Sequence, residues 1–165
     1  MNCPEKWVRR MLSFAVFLTL CLWQTGVQGQ DTVFLSKGQT VYVPVYSHIY
    51  DGSQEYRLYL STTLSIRNTD PVHSITIQEV DYYDSDGNLL KKYVDNPVTL
   101  KAMATMRYLV KASDKAGGSG ANFIIRWTAD KEANPPLMES VMIGTQMQQG
   151  ISFTSRGQVI QVPPK

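Results

Sequence analysis

Between Lys115 and Trp127, Gly117-Gly118-Ser119-Gly120 stands just before the apolar and aromatic run Phe123-Ile124-Ile125. A glycine-rich turn cradles phosphate when a lysine and a hydroxyl follow its last glycine and open a helix. Here Ala121-Asn122-Phe123 follows and then a strand-like run, which fits neither a P-loop nor a dinucleotide fingerprint. Gly117-Gly118-Ser119-Gly120-Ala121 nearly matches the nucleophile elbow G-x-S-x-G. That elbow needs a strand-to-helix turn and a later histidine, and no histidine follows His73. His48, Asp84 and Ser119 occur in a His–acid–Ser order, but proteases of that order need a far longer chain to build two barrels. What remains is conformational: the glycines let a strand-to-strand loop pass in tight or left-handed conformations, and Asn122 caps its end.

Two further constellations could hold metal. Asp81, Asp84, Asp86, Gly87 and Asn88 resemble half a calcium loop. Aligning Gly87 with the invariant glycine of an EF-hand puts Tyr82 at the first ligand and Tyr93 at the final glutamate position, so a polar hairpin fits better. Met138, Met142 and Met147, with His48 and His73, are soft and imidazole donors suited to Cu(I). Met138 and Met142 share a strand face, however, which is the spacing of core packing. The many tyrosines, including Tyr46 and Tyr50 around His48, suit either a binding surface or half-buried strands.

The start of the chain sets the compartment. Lys6, Arg9 and Arg10 precede an apolar run from Met11 to Trp23, and Val27 and Gly29 then form a small-residue exit. This is the secretory signal pattern, with cleavage expected after Gly29; an uncleaved anchor and lipidation at Cys21 are the alternatives. Both cysteines, Cys3 and Cys21, lie in residues 1–29, so residues 30–165 have no disulfide and no thiolate ligand. The signal carries 3 of the 16 basic residues and 1 of the 14 acids, leaving 13 of each and no net charge. A clustered basic surface for nucleic acid is therefore not expected, nor a membrane-spanning segment after cleavage. Residues 30–165 suit one domain.

Alternation with a period of two dominates that domain. Leu58, Leu60, Leu64 and Ile66 share one face of a single long strand from Glu55 to Arg67. Val41, Val43 and Val45 alternate likewise, and Pro44 puts that strand at an edge or breaks it there. Ile75 and Ile77 open a strand whose apolar phase shifts at Val80, a sign of a bulge. Asp84 to Asn88 reads as a hairpin turn. Phe123, Ile125 and Trp127 alternate again, and Leu137–Gln146 and Ile151–Ile160 close the chain. A helix over Ala102 to Met106 competes with a strand ending in Met106, Tyr108 and Val110. The fold expected is an all-β, immunoglobulin-like antiparallel β-sandwich of about 7–9 strands. Alternate loops of such a sandwich share an end. Ser47–Gln54, Asp84–Asn88, Ala112–Ala121 and Met147–Gly150 are therefore expected at one pole, and the loops near Asn68–Val72, Asp95–Pro97 and Asp130–Pro136 at the other.

Six blocks in order, VYVPVYSHIY, LSIRNT, YYDSDGNLL, GGSGANFIIRW, VMIGT and GISFTSRG, resemble an exported bacterial family known as domain of unknown function 3124. The likeness covers about residues 38 to 160. It implies bacterial origin and export and carries over no catalytic residues. The reading is thus an exported module, without cofactor or catalytic centre, that binds an envelope protein or small ligand. Its candidate binding pole comprises His48, Tyr50, Gly117, Gly118, Ser119, Gly120, Asn122, Gln148, Gln149 and Gly150, with Arg156 nearby. A small-ligand or copper-binding periplasmic protein, and an enzyme of unknown class, are the alternatives.

Overall fold

The structure, a computed structural model, describes residues 34–51, 56–146 and 149–162. Every regular element in it is a strand. In chain order these are β1 (Ser36–Pro44), β2 (His48–Asp51), β3 (Tyr56–Tyr59), β4 (Ser61–Arg67), β5 (Ile75–Tyr83) and β6 (Leu89–Lys92). Then come β7 (Val98–Leu100), β8 (Thr105–Val110), β9 (Asn122–Ala133), β10 (Leu137–Gln146), β11 (Gln149–Arg156) and β12 (Gln158–Gln161). One sheet runs β12-β1-β9-β5 with β6 and β7 both on the outer edge of β5; the second runs β11-β10-β4-β8; β2 and β3 form a separate hairpin ribbon. All pairings are antiparallel. The domain is an immunoglobulin-like β-sandwich.

The alternating residues do what their period requires. Val41 and Val43 of β1, Ile75, Ile77, Val80 and Tyr82 of β5, and Phe123, Ile125 and Trp127 of β9 all point inward and are buried. Leu64 and Ile66 of β4 and Met138 of β10 meet them from the second sheet, and Met142 of β10 is fully buried as well. Burying side chains of this size contributes roughly 1.5–3 kcal/mol each, and no cysteine among the described residues adds a crosslink. The expected bulge in β5 is present as a register shift between Ile77 and Glu79. Pro44 is the last residue of β1, which breaks there.

Three expectations need correcting. The stretch from Glu55 to Arg67 is not one strand. It divides at the buried Leu60, whose N–H donates to Ser47 O (3.0 Å), so β3 belongs to the ribbon and β4 to the second sheet. Ile151–Ile160 likewise divides at Gly157, where the chain crosses from the second sheet to the first. A Cβ on Gly157 would stand 2.8 Å from Val41 Cγ1 and 3.1 Å from Met138 O, so a larger residue there would force its neighbours to move. Asp95–Pro97 is not a chain reversal but an interruption along one edge, since β6 and β7 both run antiparallel to β5. The reversal falls at Lys101–Ala104, closed by Ala104 N donating to Lys101 O (3.1 Å), and no helix forms over Ala102 to Met106. With these divisions, and with β2 forming in the stretch Ser47–Gln54 expected as a loop, the described residues hold 12 strands against the expected 7–9.

Candidate binding pole

The pairing registers set what lies at each end. Pro44 and Tyr83 both pair with Asn122, so the end of β1, the end of β5 and the start of β9 meet at one pole. The hairpin Asp84–Asn88 and the glycine loop are therefore side by side there. Asp84 closes the hairpin: its carboxylate accepts from Asp86 N (2.9 Å), Asn88 N (2.8 Å) and Asn88 Nδ2 (3.0 Å), and Gly87 adopts φ +82°. These bonds hold the Asp84 carboxyl below its usual range, the Asn88 side chain being the largest cause.

The glycine loop is wedged between that hairpin and Ser47. Gly117 O accepts from Ser85 N and Ser85 Oγ (both 3.0 Å), and Gly120 N donates to Ser85 Oγ (2.9 Å). On the other side Ser47 N donates to Gly118 O (2.9 Å). The expected meeting of the glycine loop with the His48 segment is therefore direct. Gly117 and Gly118 are also structurally required. A Cβ on Gly117 would collide with Tyr82 Oη and lie 2.7 Å from Ser47 Oγ, while Gly118 holds φ +77°, a region L-residues rarely enter. Below the loop, Ser47 Oγ and Tyr82 Oη share a 3.1 Å hydrogen bond. Tyr82 stacks at 5.1 Å on Phe123, which meets Tyr93 at 5.7 Å, and Tyr93 meets Tyr108 of the opposite sheet at 5.2 Å. Burial pushes the Tyr82, Tyr93 and Tyr108 phenols up.

His48 differs from all of these. It opens β2 opposite Tyr59 and is only 6 % exposed, yet neither ring nitrogen has a hydrogen-bond partner among the described residues. Thr62, Asp81 and Trp127 each have one such orphaned atom; His48 has two. Its ring stands edge-on between Tyr50 (5.1 Å) and Tyr59 (6.0 Å). Burial, and then the Arg57 charge, lower its pKa from the ordinary 6.5, which favours the neutral imidazole. Tyr50 is 48 % exposed, and Lys115 Nζ lies 4.3 Å above the Tyr59 ring. Leaving a buried polar atom unpaired costs about 1–3 kcal/mol, and such a group calls for an explanation.

The remaining candidates fall as follows. Ser119 is half-buried, and the orphaned nitrogens of His48 and the committed carboxylate of Asp84 leave the three without a hydrogen-bonded relay. Gln149 starts β11 opposite Gln146, and Gly150 lies opposite Thr145, next to Gly144, whose added Cβ would lie 3.2 Å from Tyr59 O. Gln148 and Met147 lie outside the described residues. Arg156 does not join the pole: it is six residues along β11 from Gly150, opposite Glu139, about 20 Å away at the usual strand rise. His73 sits beside Asn68 at the far end of β4, so the two histidines cannot share an ion, and Met138 and Met142 are core residues. Among the described residues no three His, Cys, Asp or Glu side chains cluster to hold a metal, and no helix is long and apolar enough to cross a membrane. The loops of Ser47, Ser85 and Lys115 were expected at this pole, but not these side chains as contacts, since isolated serines and a lysine carry no periodic or motif signal.

Residues 38–160 match the family model described as Protein of unknown function (DUF3124). The chain belongs to that family. The DUF3124 span takes in every part of the pole, from His48 to Gly150. No curated protein matches the chain. A solved structure titled Crystal Structure of Thermotoga maritima 1070 aligns at 12% identity with a TM-score of 0.43, covering 76% of this chain and 97% of that one.

Proposed function

We propose that this DUF3124 chain is an exported, non-catalytic binding module of the bacterial envelope whose ligand docks on the His48 pole. The reading of residues 1–29 as a secretory signal supports export. The observation that carries the binding site is the buried imidazole with two orphaned ring nitrogens. A ligand hydrogen-bonding group offered between Tyr50 and Tyr59 would satisfy what the free domain leaves unpaired. Exposed Tyr50 and Tyr56 add the amphipathic rings that binding surfaces favour. The glycines serve this site by shape, letting the loop fit between Ser47 and Ser85.

Affinity capture from envelope fractions of the native host tests the proposal. The wild type and a Val72→Ala control should retain the same partner, and Tyr50→Ala should lose it while keeping its thermal midpoint. Equal recovery by all three proteins would overturn the assignment of the site.

A further inference from the structure

The outer face of the β11-β10-β4-β8 sheet has an unbalanced charge. Thr62, Leu64 and Ile66 point into the core, so strand alternation turns Ser61, Thr63, Ser65 and Arg67 outward. The registers then align Arg107, Ser65, Glu139 and Arg156 in one row across all four strands. Arg67 folds back onto that row, donating from Nε to Ser65 Oγ (3.1 Å) and lying 3.4 Å from Glu139 Oε1 through Nη2. Three exposed arginines thus face one carboxylate, which Arg67 already engages. Among the described residues neither Arg107 nor Arg156 has an ion-pair partner. The outer face of the other sheet is balanced, with Arg126 on Glu79 and Lys92 on Asp81.

The rows beside the arginines alternate short hydroxyls with apolar side chains: Leu109, Thr63, Val141 and Thr154 in one, and Ser61, Ile143 and Ser152 in the next. From these features we infer that this sheet face docks an acidic polysaccharide. Arg107 and Arg156 stand three strand spacings apart, about 14 Å, a separation that carboxylates recurring along one chain can meet. Guanidinium groups grip carboxylates through paired N–H donors. The serine and threonine hydroxyls of the neighbouring rows match the donors and acceptors that a polysaccharide presents on every residue. This surface is separate from the His48 pole, and its failure would leave that reading intact.

Isothermal titration of the purified protein with polygalacturonate and with neutral dextran tests the inference. Polygalacturonate should bind, more weakly as salt is raised, and dextran should not. Arg107→Glu with Arg156→Glu should weaken binding about tenfold or more, and Arg107→Gln with Arg156→Gln should reproduce the loss without added repulsion. Lys101→Glu with Lys131→Glu, the same charge change elsewhere, should bind as the wild type does. Absence of polygalacturonate binding would overturn the inference. So would equal loss in the lysine pair, or equally tight binding of polyglutamate or phosphatidylglycerol vesicles.

Discussion

The two ends of the sandwich treat their buried polar groups in opposite ways. At the Asp70 end, Asp70 Oδ1 accepts from Val72 N (2.8 Å) and His73 N (2.7 Å), and Oδ2 accepts from Asn134 N (2.9 Å). Asn68 beside it donates through Nδ2 to His73 O, Leu100 O and Lys101 O and accepts from Asp70 N. His73 lies with Nδ1 3.3 Å from Asp70 Oδ1. Loops from three parts of the chain are tied through two side chains, and the result is a rigid clasp. At the opposite end the glycine loop is equally well bonded, yet His48 is buried without a hydrogen-bond partner among the described residues. The contrast is what the proposed binding site rests on, since locally costly features tend to gather at functional sites.

Breaking the clasp should have the largest effect. Asp70→Ala removes the acceptor of three backbone N–H groups and should lower the thermal midpoint by about 10 °C, measured by circular dichroism. The N–H groups of His73, then Asn134 and Val72, hold the Asp70 carboxyl well below its ordinary 3.8. Its contribution is therefore complete above that value and lost as pH falls below it. Gly117→Ala comes next. The added methyl meets Tyr82 Oη, Ser47 Oγ and the Ala121 methyl, and overpacking of this kind costs about 1–3 kcal/mol in denaturant titration. Midpoints unchanged by both substitutions would remove the picture of two well-tied ends.

The smallest effect has the opposite sign. His48→Phe keeps an aromatic ring between Tyr50 and Tyr59 and removes both orphaned nitrogens, so the free domain should gain about 1 kcal/mol. Because the folded-state pKa of His48 is lowered, the unfolded chain takes up that proton first, and wild-type stability should decline as pH drops below about 6.5. Stability against pH should then show two stages: an upper one absent from His48→Phe and a lower one reduced in Asp70→Ala, where the lowered Asp84 carboxyl still contributes. Loss of stability in His48→Phe would mean that the imidazole has a partner and that the contrast between the ends is false.

Much of this architecture was legible in the alternation. Val41 and Val43, and Phe123, Ile125 and Trp127, could pack only as inward strand faces, and counting reversals placed Gly118 beside the His48 segment. The count survived the misread Asp95–Pro97 because one reversal does occur, at Lys101–Ala104. Periodicity could not reveal the divisions at Leu60 and Gly157, since a strand that changes sheets keeps its period of two. Arg156 was misplaced for a related reason: the hairpin after β10 brings Gly150 to the pole and then carries Arg156 away along the sheet. The state of His48 was not legible, because whether an imidazole is paired depends on groups brought near it from β3 and the glycine loop.

Site-specific photo-crosslinking in living host cells tests the central claim most directly, with the reactive residue placed at Tyr50 or at Val72, which is 73 % exposed at the clasped end. The account predicts a discrete adduct from position 50 and none from position 72. An adduct from position 72 alone, or equal adducts from both, would contradict it.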